Sequence, residues 1–288
     1  MFGLLINPTA GAGRGMQTRQ IIIDYLSRNN LGFKDISGSS FESARVNLRA
    51  FLGDESPRAV IVVGGDGMVH LAIQELAESD VAMLLIPSGT GNDFARSLSL
   101  ELDSPLEIIE RAVQKPPTRI DLAQVNGRYF AEILSTGFDS KVNERANRMK
   151  IRSKIKYDLA MALELPIFKP INYSIRIDGT SFSTKAMLIA VANGKSYGGG
   201  MKVSPNSDLQ DGLLELFILK PVSKFEFLRV FPKVFKGSHI DHPQVQVISG
   251  KSIEISAEAV AYADGERIGP LPIKVEIKPR ALLTWTGQ

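Results

Sequence analysis

The sequence predicts an α/β plus all-β chain: a Rossmann-like three-layer α/β domain, followed by an antiparallel β-sandwich domain. Three observations predict it. Over roughly the first 120 residues, short apolar runs alternate with helical patterns, which signals a parallel sheet with helices on both faces. Beyond Pro116-Pro117 the pattern changes to short strands joined by turn dipeptides. Within the first part, glycine-rich loops follow three of the apolar runs, at strand carboxyl ends, where open α/β sheets bind ligands.

Residues 2–7 read as a strand that turns through Pro8-Thr9-Ala10-Gly11-Ala12-Gly13-Arg14-Gly15 into a helix ending near Asn29. A weak strand at 33–36 and a loop at 37–40 precede a helix over 42–52. The runs at 59–63 and 81–86 are the strongest strands, and a helix at 68–77 separates them. After the prolines, 119–125 and 129–135 flank Asn126-Gly127, and 173–177 and 182–192 flank Asp178-Gly179, both type I′ hairpin signals. Further strands are expected at 213–219, 245–248, 252–256, 260–262, 273–277 and 282–285, with helical stretches at 140–165 and 223–235. The expected domains are 1–122 and 123–280, with 281–288 as a candidate return to the first.

Composition excludes several chemistries. With no cysteine, disulfides, thiolate catalysis and Cys-ligated metals are ruled out. Three histidines (His70, His239 and His242) are too few for a His-rich metal cage. A net charge of +3 does not argue for nucleic acid, and none is expected as a partner. No apolar stretch approaches the ~18–20 residues of a membrane span, and the first eight residues lack the basic region of a signal peptide. The expectation is a soluble, cytoplasmic protein.

Two loops carry the chemistry. Gly64-Gly65-Asp66-Gly67 and Pro87-Ser88-Gly89-Thr90-Gly91-Asn92-Asp93 each read as a buried strand ending in a tight turn that opens a helix. Backbone lacking Cβ can approach a phosphate, and the following helix presents unpaired N–H groups. Asp66 and Asp93 place an acid in each loop, and the pair suggests a nucleoside triphosphate site. The first loop is weaker: Gly15 falls one position early for a dinucleotide fingerprint, and no Gly-Lys-Ser/Thr follows for a Walker loop. Alone it reads equally well as a strand-to-helix turn.

In their order and spacing these three loops resemble the diacylglycerol kinase catalytic-domain family, particularly the soluble bacterial lipid kinases, and its sphingosine kinase relatives. The resemblance continues through Ser135-Thr136-Gly137-Phe138-Asp139, Tyr197-Gly198-Gly199-Gly200-Met201, Pro205 to Asp211-Gly212, and Asp264-Gly265-Glu266. It implies an ATP- and Mg²⁺-dependent lipid kinase that transfers the γ-phosphate to the hydroxyl of a diacylglycerol-like lipid, with ATP in a cleft between the two domains. By the same resemblance, Asn7, Pro8, Thr9, Ala10 and Gly11 cradle phosphates together with Gly64, Gly65, Asp66, Gly67, Met68, Val69 and His70. Asp66 serves the nucleotide-bound Mg²⁺, which suits a cation that prefers oxygen ligands. Thr90 contacts ATP, as does Ser40 or its neighbour Ser39, while Asn92 or Asp93 caps the next helix.

The resemblance also implies a second, structural Mg²⁺ site, in which the Asp211 carboxylate is joined by main-chain oxygens of Asp208 and Leu213. An Asp-Gly turn is the alternative reading. Asp121 joins that acidic network or ends a strand. Asp264-Gly265-Glu266 reads by itself as a hairpin turn; in the family such a turn presents the general base, here Glu266 with Asp264 as its rival. The chain departs from the pattern at Met68, where the family usually has Thr, and at Gln210, where it usually has an acid.

A basic run, Arg145, Arg148, Lys150, Arg152, Lys154 and Lys156, is unrelieved by acid until Asp158. It reads as a solvated helix face or as a surface that adsorbs to an anionic bilayer, placing the protein peripherally at the inner membrane face beside its lipid substrate. The aromatic stretch 224–235 reads as core packing, and a homodimer is in keeping with the family. Two other readings remain at this stage. One is a kinase of a soluble acceptor, NAD kinase-like or phosphofructokinase-like, since related folds share Gly-Gly-Asp-Gly. The other is a catalytically silent nucleotide-binding regulator, suggested by Met68 and Gln210.

Overall fold

Apolar runs bounded by glycine and proline become buried strands, and their alternation with helices divides the chain. The computed structural model describes residues 1–7, 14–53, 57–100, 103–150 and 155–287. Two compact units emerge: Met1–Leu122 with Lys278–Gln288, and Ala123–Ile277.

The first unit runs β1 (Phe2–Ile6), α1 (Arg14–Arg28), β2 (Phe33–Asp35), α2 (Phe41–Gly53), β3 (Ala59–Gly64), α3 (Asp66–Leu76), β4 (Ala82–Pro87), α4 (Asp93–Ser97) and α5 (Pro105–Gln114). The first part of β5 (Thr118–Val125) completes it. The strands pair in parallel in the order β2-β1-β3-β4. Every residue of β1 and β3 is buried, as expected of central strands covered on both faces. Helix α1 packs with α5 and α2 with α3, and both pairs lie against the sheet.

Helix α5 was not expected from the periodicity, yet the sequence does carry a signal for it. Ser104 accepts the Glu107 N–H at 3.3 Å, while the Glu107 carboxylate accepts the Ser104 N–H at 2.7 Å. This reciprocal box, with Pro105 at the first helical position, marks a helix start.

The second unit continues with β6 (Arg128–Phe130), β7 (Ile133–Gly137), α6 (Phe138–Arg148), α7 (Ile155–Glu164), β8 (Ile171–Ile177), β9 (Thr180–Ala186), β10 (Leu188–Ala192), β11 (Leu214–Leu219) and α8 (Lys224–Val230). Then come β12 (Val245–Gly250), β13 (Ser252–Ser256), β14 (Val260–Ala263), β15 (Glu266–Pro270) and β16 (Ile273–Thr284), whose end pairs in parallel with β4 of the first unit at Thr284 and Met83. One antiparallel sheet has the order β12-β11-β10-β7-β14-β15. The other joins the start of β16 to β13, β8 and β9. Side chains of both sheets, among them Leu134, Val191 and Leu216 from one and Ile175, Ile253 and Val275 from the other, share one buried core. Asn126-Gly127 and Asp178-Gly179 make the expected hairpin turns, with positive φ at both central residues.

Several expected elements divide where a local feature intervenes. The run 182–192 becomes β9 and β10, paired in different sheets. The stretch 140–165 becomes α6 and α7, because Met149 turns extended and closes α6. The stretch 223–235 stays α-helical only to Val230 and tightens to a 3₁₀ turn at Phe231–Lys236, where Pro232 has no N–H to offer. The strand expected at 129–135 is split between β6 and β7, whereas those at 273–277 and 282–285 are one strand, β16.

Replacing the cap tests how much of α5 is held by its box: Ser104→Ala is expected to lower stability by about 0.5–2 kcal/mol, and Ile253→Ala in the sandwich core by about 2–5 kcal/mol, both read from urea unfolding midpoints.

Candidate active site

Strands β3 and β4 lie side by side, with Gly64 opposite Pro87. Their register brings the loops that follow into backbone contact. A Cβ on Gly89 would stand 2.5 Å from the Gly65 Cα, and one on Gly65 would stand 2.9 Å from the Gly89 Cα. No side chain fits at either position. Around this contact the Ser88 N–H donates to the Gly64 carbonyl at 2.9 Å, and the Asn7 N–H donates to the Val63 carbonyl at 3.0 Å. Asn92, in the left-handed region at φ 56°, donates its side-chain amide to the Gly89 carbonyl at 3.1 Å.

Asp66 links the two loops. Its Oδ1 accepts the Phe94 N–H at 3.2 Å at the start of α4. The sequence suggested Asn92 or Asp93 for that capping role; instead the cap comes from the neighbouring loop, and Asp93 pairs with Arg96 at 2.8 Å. Arg96 also donates to the Gly91 carbonyl at 3.0 Å, which leaves the second loop braced on both sides. Helix α3 follows Gly65, which offers it no side-chain cap; the Gly65 carbonyl accepts the Met68 N–H at 2.9 Å and the Val69 N–H at 3.2 Å, and the positive end of the helix dipole lies at this loop. Nearby, Ser88 Oγ and Asn92 Oδ1 are buried without a hydrogen-bond partner. An uncapped helix start, a cradle that a Cβ would fill and the Ser88 hydroxyl, a buried donor without a partner, together fit a bound anion such as a phosphate; the Asn92 Oδ1 is an acceptor and fits a donor group instead.

The other expected nucleotide contacts divide. Gly67 and Thr90 are exposed at the loop tips, Asp66 and Asn7 are half-buried, and Val69 is buried. Met68 is only 5% exposed, and a Cβ on Gly64 would meet its Cγ at 2.5 Å, so its thioether packs beneath the strand end. His70 is half-buried, with Nδ1 lacking a partner. Ser40 caps α2 in a reciprocal exchange with Ser43: Ser43 N–H to Ser40 Oγ at 3.1 Å, and Ser40 N–H to Ser43 Oγ at 2.9 Å. Pro8, Thr9, Ala10 and Gly11 lie outside the described residues.

In the second unit, the hairpin between β14 and β15 turns on Asp264 and Gly265, both at positive φ. The Asp264 carboxylate accepts three consecutive backbone N–H groups, from Ala131 at 2.7 Å, Glu132 at 3.1 Å and Ile133 at 3.2 Å. Glu266, two residues on, is exposed. Asp264 is thus engaged in holding the turn, while Glu266 is exposed.

Sequence reading missed the residues that reinforce this anchor. Glu132, 4% exposed, accepts the Ser196 N–H at 3.3 Å, and the Asn193 side-chain amide donates to the Ala131 carbonyl at 2.7 Å. An acid inside the apolar run 130–134, and Asn193-Gly194 closing the run 188–192, were the available signals.

The motif at 135–139 also closes on itself: Ser135 Oγ donates to Asp139 Oδ2 at 2.5 Å and Asn143 to the same oxygen at 3.3 Å. Burial pushes the Asp139 carboxyl up from its usual range, and hydrogen bonds from Ser135 and Tyr197 oppose that shift. At the expected second metal site, Asp208 accepts the Gln210 N–H at 3.0 Å and Asp211 the Leu213 N–H at 2.9 Å, and both acids are exposed. Among the described residues no group of three His, Cys, Asp or Glu side chains stands ready for a metal. Asp121 is buried in the first unit, where it accepts the Arg280 N–H at 2.7 Å.

Residues 1–125 match the family model described as the diacylglycerol kinase catalytic domain, and residues 132–285 match that of the YegS C-terminal NAD kinase beta sandwich-like domain. A diacylglycerol kinase of Mycobacterium tuberculosis is 35% identical over 286 residues, covering 96% of this chain and 92% of that relative. A diacylglycerol kinase of Bacillus subtilis is 32% identical, covering 74% and 72%. A crystal structure of a diacylglycerol kinase from Bacillus anthracis shares the fold, with a TM-score of 0.76 at 22% identity and coverage of 99% and 96%. The chain belongs to the diacylglycerol kinase family and is a lipid kinase; membership implies dependence on ATP and Mg²⁺. Among the described residues, no helix is long and apolar enough to cross a membrane.

Because Gly65 and Gly89 touch, Gly89→Ala is expected to force the loops apart and weaken ATP binding at least about tenfold, a change of about 1.4 kcal/mol. Isothermal titration of the variant reads the loss, and a thermal melt reports whether the first unit stays folded.

Proposed function

We propose that the chain transfers the γ-phosphate of ATP to the hydroxyl of a diacylglycerol-like lipid, with the phosphate chain held at the loops 64–70 and 88–92. The observation that carries this reading is the backbone contact of Gly65 with Gly89 beside the uncapped start of α3. There the N–H groups of α3 would donate to phosphate oxygens, with the positive helix end behind them. Asp66, fixed by the Phe94 N–H, would hold the nucleotide's Mg²⁺. When bound, ATP supplies the phosphoryl group and Mg²⁺ the charge that neutralises its oxygens. Thr90, at the exposed tip of the second loop, is assigned to the nucleotide as well.

Glu266 is the proposed general base. As the acceptor oxygen forms its bond to the γ-phosphorus and the bond to the bridging oxygen breaks, the hydroxyl proton passes to the Glu266 carboxylate. Asp264 acts on the same turn as a positioning residue, because its three N–H acceptances fix the backbone from which Glu266 projects. Asp208, Asp211 and the Leu213 main chain would bind a structural cation, with both aspartates already in turns that such an ion would stiffen. Met68, which raised the reading of a silent regulator, is a packing residue, so its lost hydroxyl gives no ground for lost catalysis.

Labelled ATP offered with Mg²⁺ to diacylglycerol in detergent micelles, and separately to NAD and sugar phosphates, tests the acceptor. Label is expected in the lipid phosphomonoester alone. Glu266→Gln is expected to reduce kcat about 10²–10⁴-fold without changing the melting temperature, whereas Asp264→Asn should lower both. Label confined to a soluble product, or full turnover by Glu266→Gln, contradicts the assignment.

A further inference from the structure

Helices α2 and α3 lie side by side and run in the same direction. Arg49, late in α2, pairs with Glu75, late in α3, at 2.7 Å. At their other ends, Phe41 opens α2 and Gly67 lies in the first turn of α3. A Cβ on Gly67 would meet the Phe41 Cζ at 3.7 Å, so the tip of the ring stands beside the glycine loop. The chain before Phe41 is pinned. Ser37 Oγ accepts the Ile6 N–H at 3.0 Å and donates to the Leu4 carbonyl at 3.3 Å, and the Asn47 side-chain amide donates to the Ser37 carbonyl at 3.0 Å. A Cβ on Gly38 would collide with the Ala44 nitrogen, which shows how closely this segment lies on the first turn of α2.

Phe41 is nonetheless 58% exposed. Among the described residues, neither another ring nor a cation lies against it. A single exposed apolar side chain is ordinary on a protein surface. This one is the exposed aromatic among the described residues of the first unit, and packing fixes where it stands while leaving its faces open. A held aromatic face with nothing on it offers stacking to a second flat ring. With phosphates on the loop to which Gly67 belongs, the flat ring that the ligand itself brings is the base of the same nucleotide. An acyl chain of a lipid is flexible and has no such face to offer.

We propose that Phe41 stacks on the base of the bound nucleotide and forms one wall of the subsite that takes it. The proposal rests on the assignment of the phosphates to the loops 64–70 and 88–92, and it adds the place of the base. Every base has a π-face, so the contact strengthens ATP and GTP alike and does not choose between them. A phosphate chain that carries no base gains nothing from it.

Isothermal titration of the full chain with ATP, GTP and inorganic tripolyphosphate, each with Mg²⁺ and without lipid, tests it without turnover. Phe41→Ala is expected to weaken ATP and GTP about tenfold or more and to leave tripolyphosphate binding unchanged. Phe41→Trp should keep nucleotide binding, whereas Phe41→Leu, which retains apolar bulk but loses the flat face, should not. All three variants should keep the wild-type melting temperature. Wild-type affinity for ATP in Phe41→Ala overturns the proposal, and a raised KM for the lipid in that case would assign the ring to the acceptor. Full rescue by Phe41→Leu overturns it too. So does a Phe41→Ala protein weakened equally for tripolyphosphate, since the ring would then support the loop and not the base. Tripolyphosphate that fails to displace ATP from the wild-type protein contradicts the phosphate assignment itself, and the base subsite falls with it.

Discussion

The contact between Gly65 and Gly89 is the constraint on which the arrangement of the glycine loops in the first unit depends. Two parallel strands end in register, at Gly64 and Pro87, and their loops meet at van der Waals distance. That approach lets Asp66 of one loop cap the helix that follows the other, and it leaves the start of α3 open. A side chain at either glycine would occupy the space through which the loops are joined. The same absence of Cβ that permits the contact also permits close approach of a phosphate.

The second unit solves a different problem, the holding of an exposed carboxylate on a short hairpin. A turn of two residues has little packing of its own. Asp264 compensates by accepting three backbone N–H bonds from 131–133, and a buried Glu132 and Asn193 secure that segment in turn. Charge-assisted bonds to backbone are among the stronger hydrogen bonds available to a fold. Loop rigidity in both units therefore comes from acids bonded to main chain, Asp66 in one and Asp264 in the other.

Much of this was legible in the sequence because the signals are local. Gly-Gly-Asp-Gly after a valine-rich run, Asn-Gly and Asp-Gly between alternating strands, and the change of pattern after Pro116-Pro117 each act within a few residues. What escaped depends on partners far along the chain. The N–H groups that Asp264 receives lie more than 130 residues earlier, at |i−j| of 131 to 133, so no window reveals whether that acid is a base or an anchor. Likewise 224–235 shows aromatic periodicity, yet only the packing of Phe138 and Phe168 decides that Phe227 faces in and Phe225 out. Helix α5 is the opposite case: its start is marked within four residues by the capping box Ser104-Pro105-Leu106-Glu107, a signal that hydrophobic periodicity does not carry.

The central claim is that the two touching glycine loops are the phosphate site. Hydrogen–deuterium exchange of the full chain, with and without Mg²⁺ and ATP, tests it most directly, because it reads the backbone N–H groups that the claim assigns to phosphate. Protection is predicted at the start of α3, in 65–67, and across 89–92, with no change at the core strands of the second unit. Saturating ATP that leaves both loops unprotected would contradict the account.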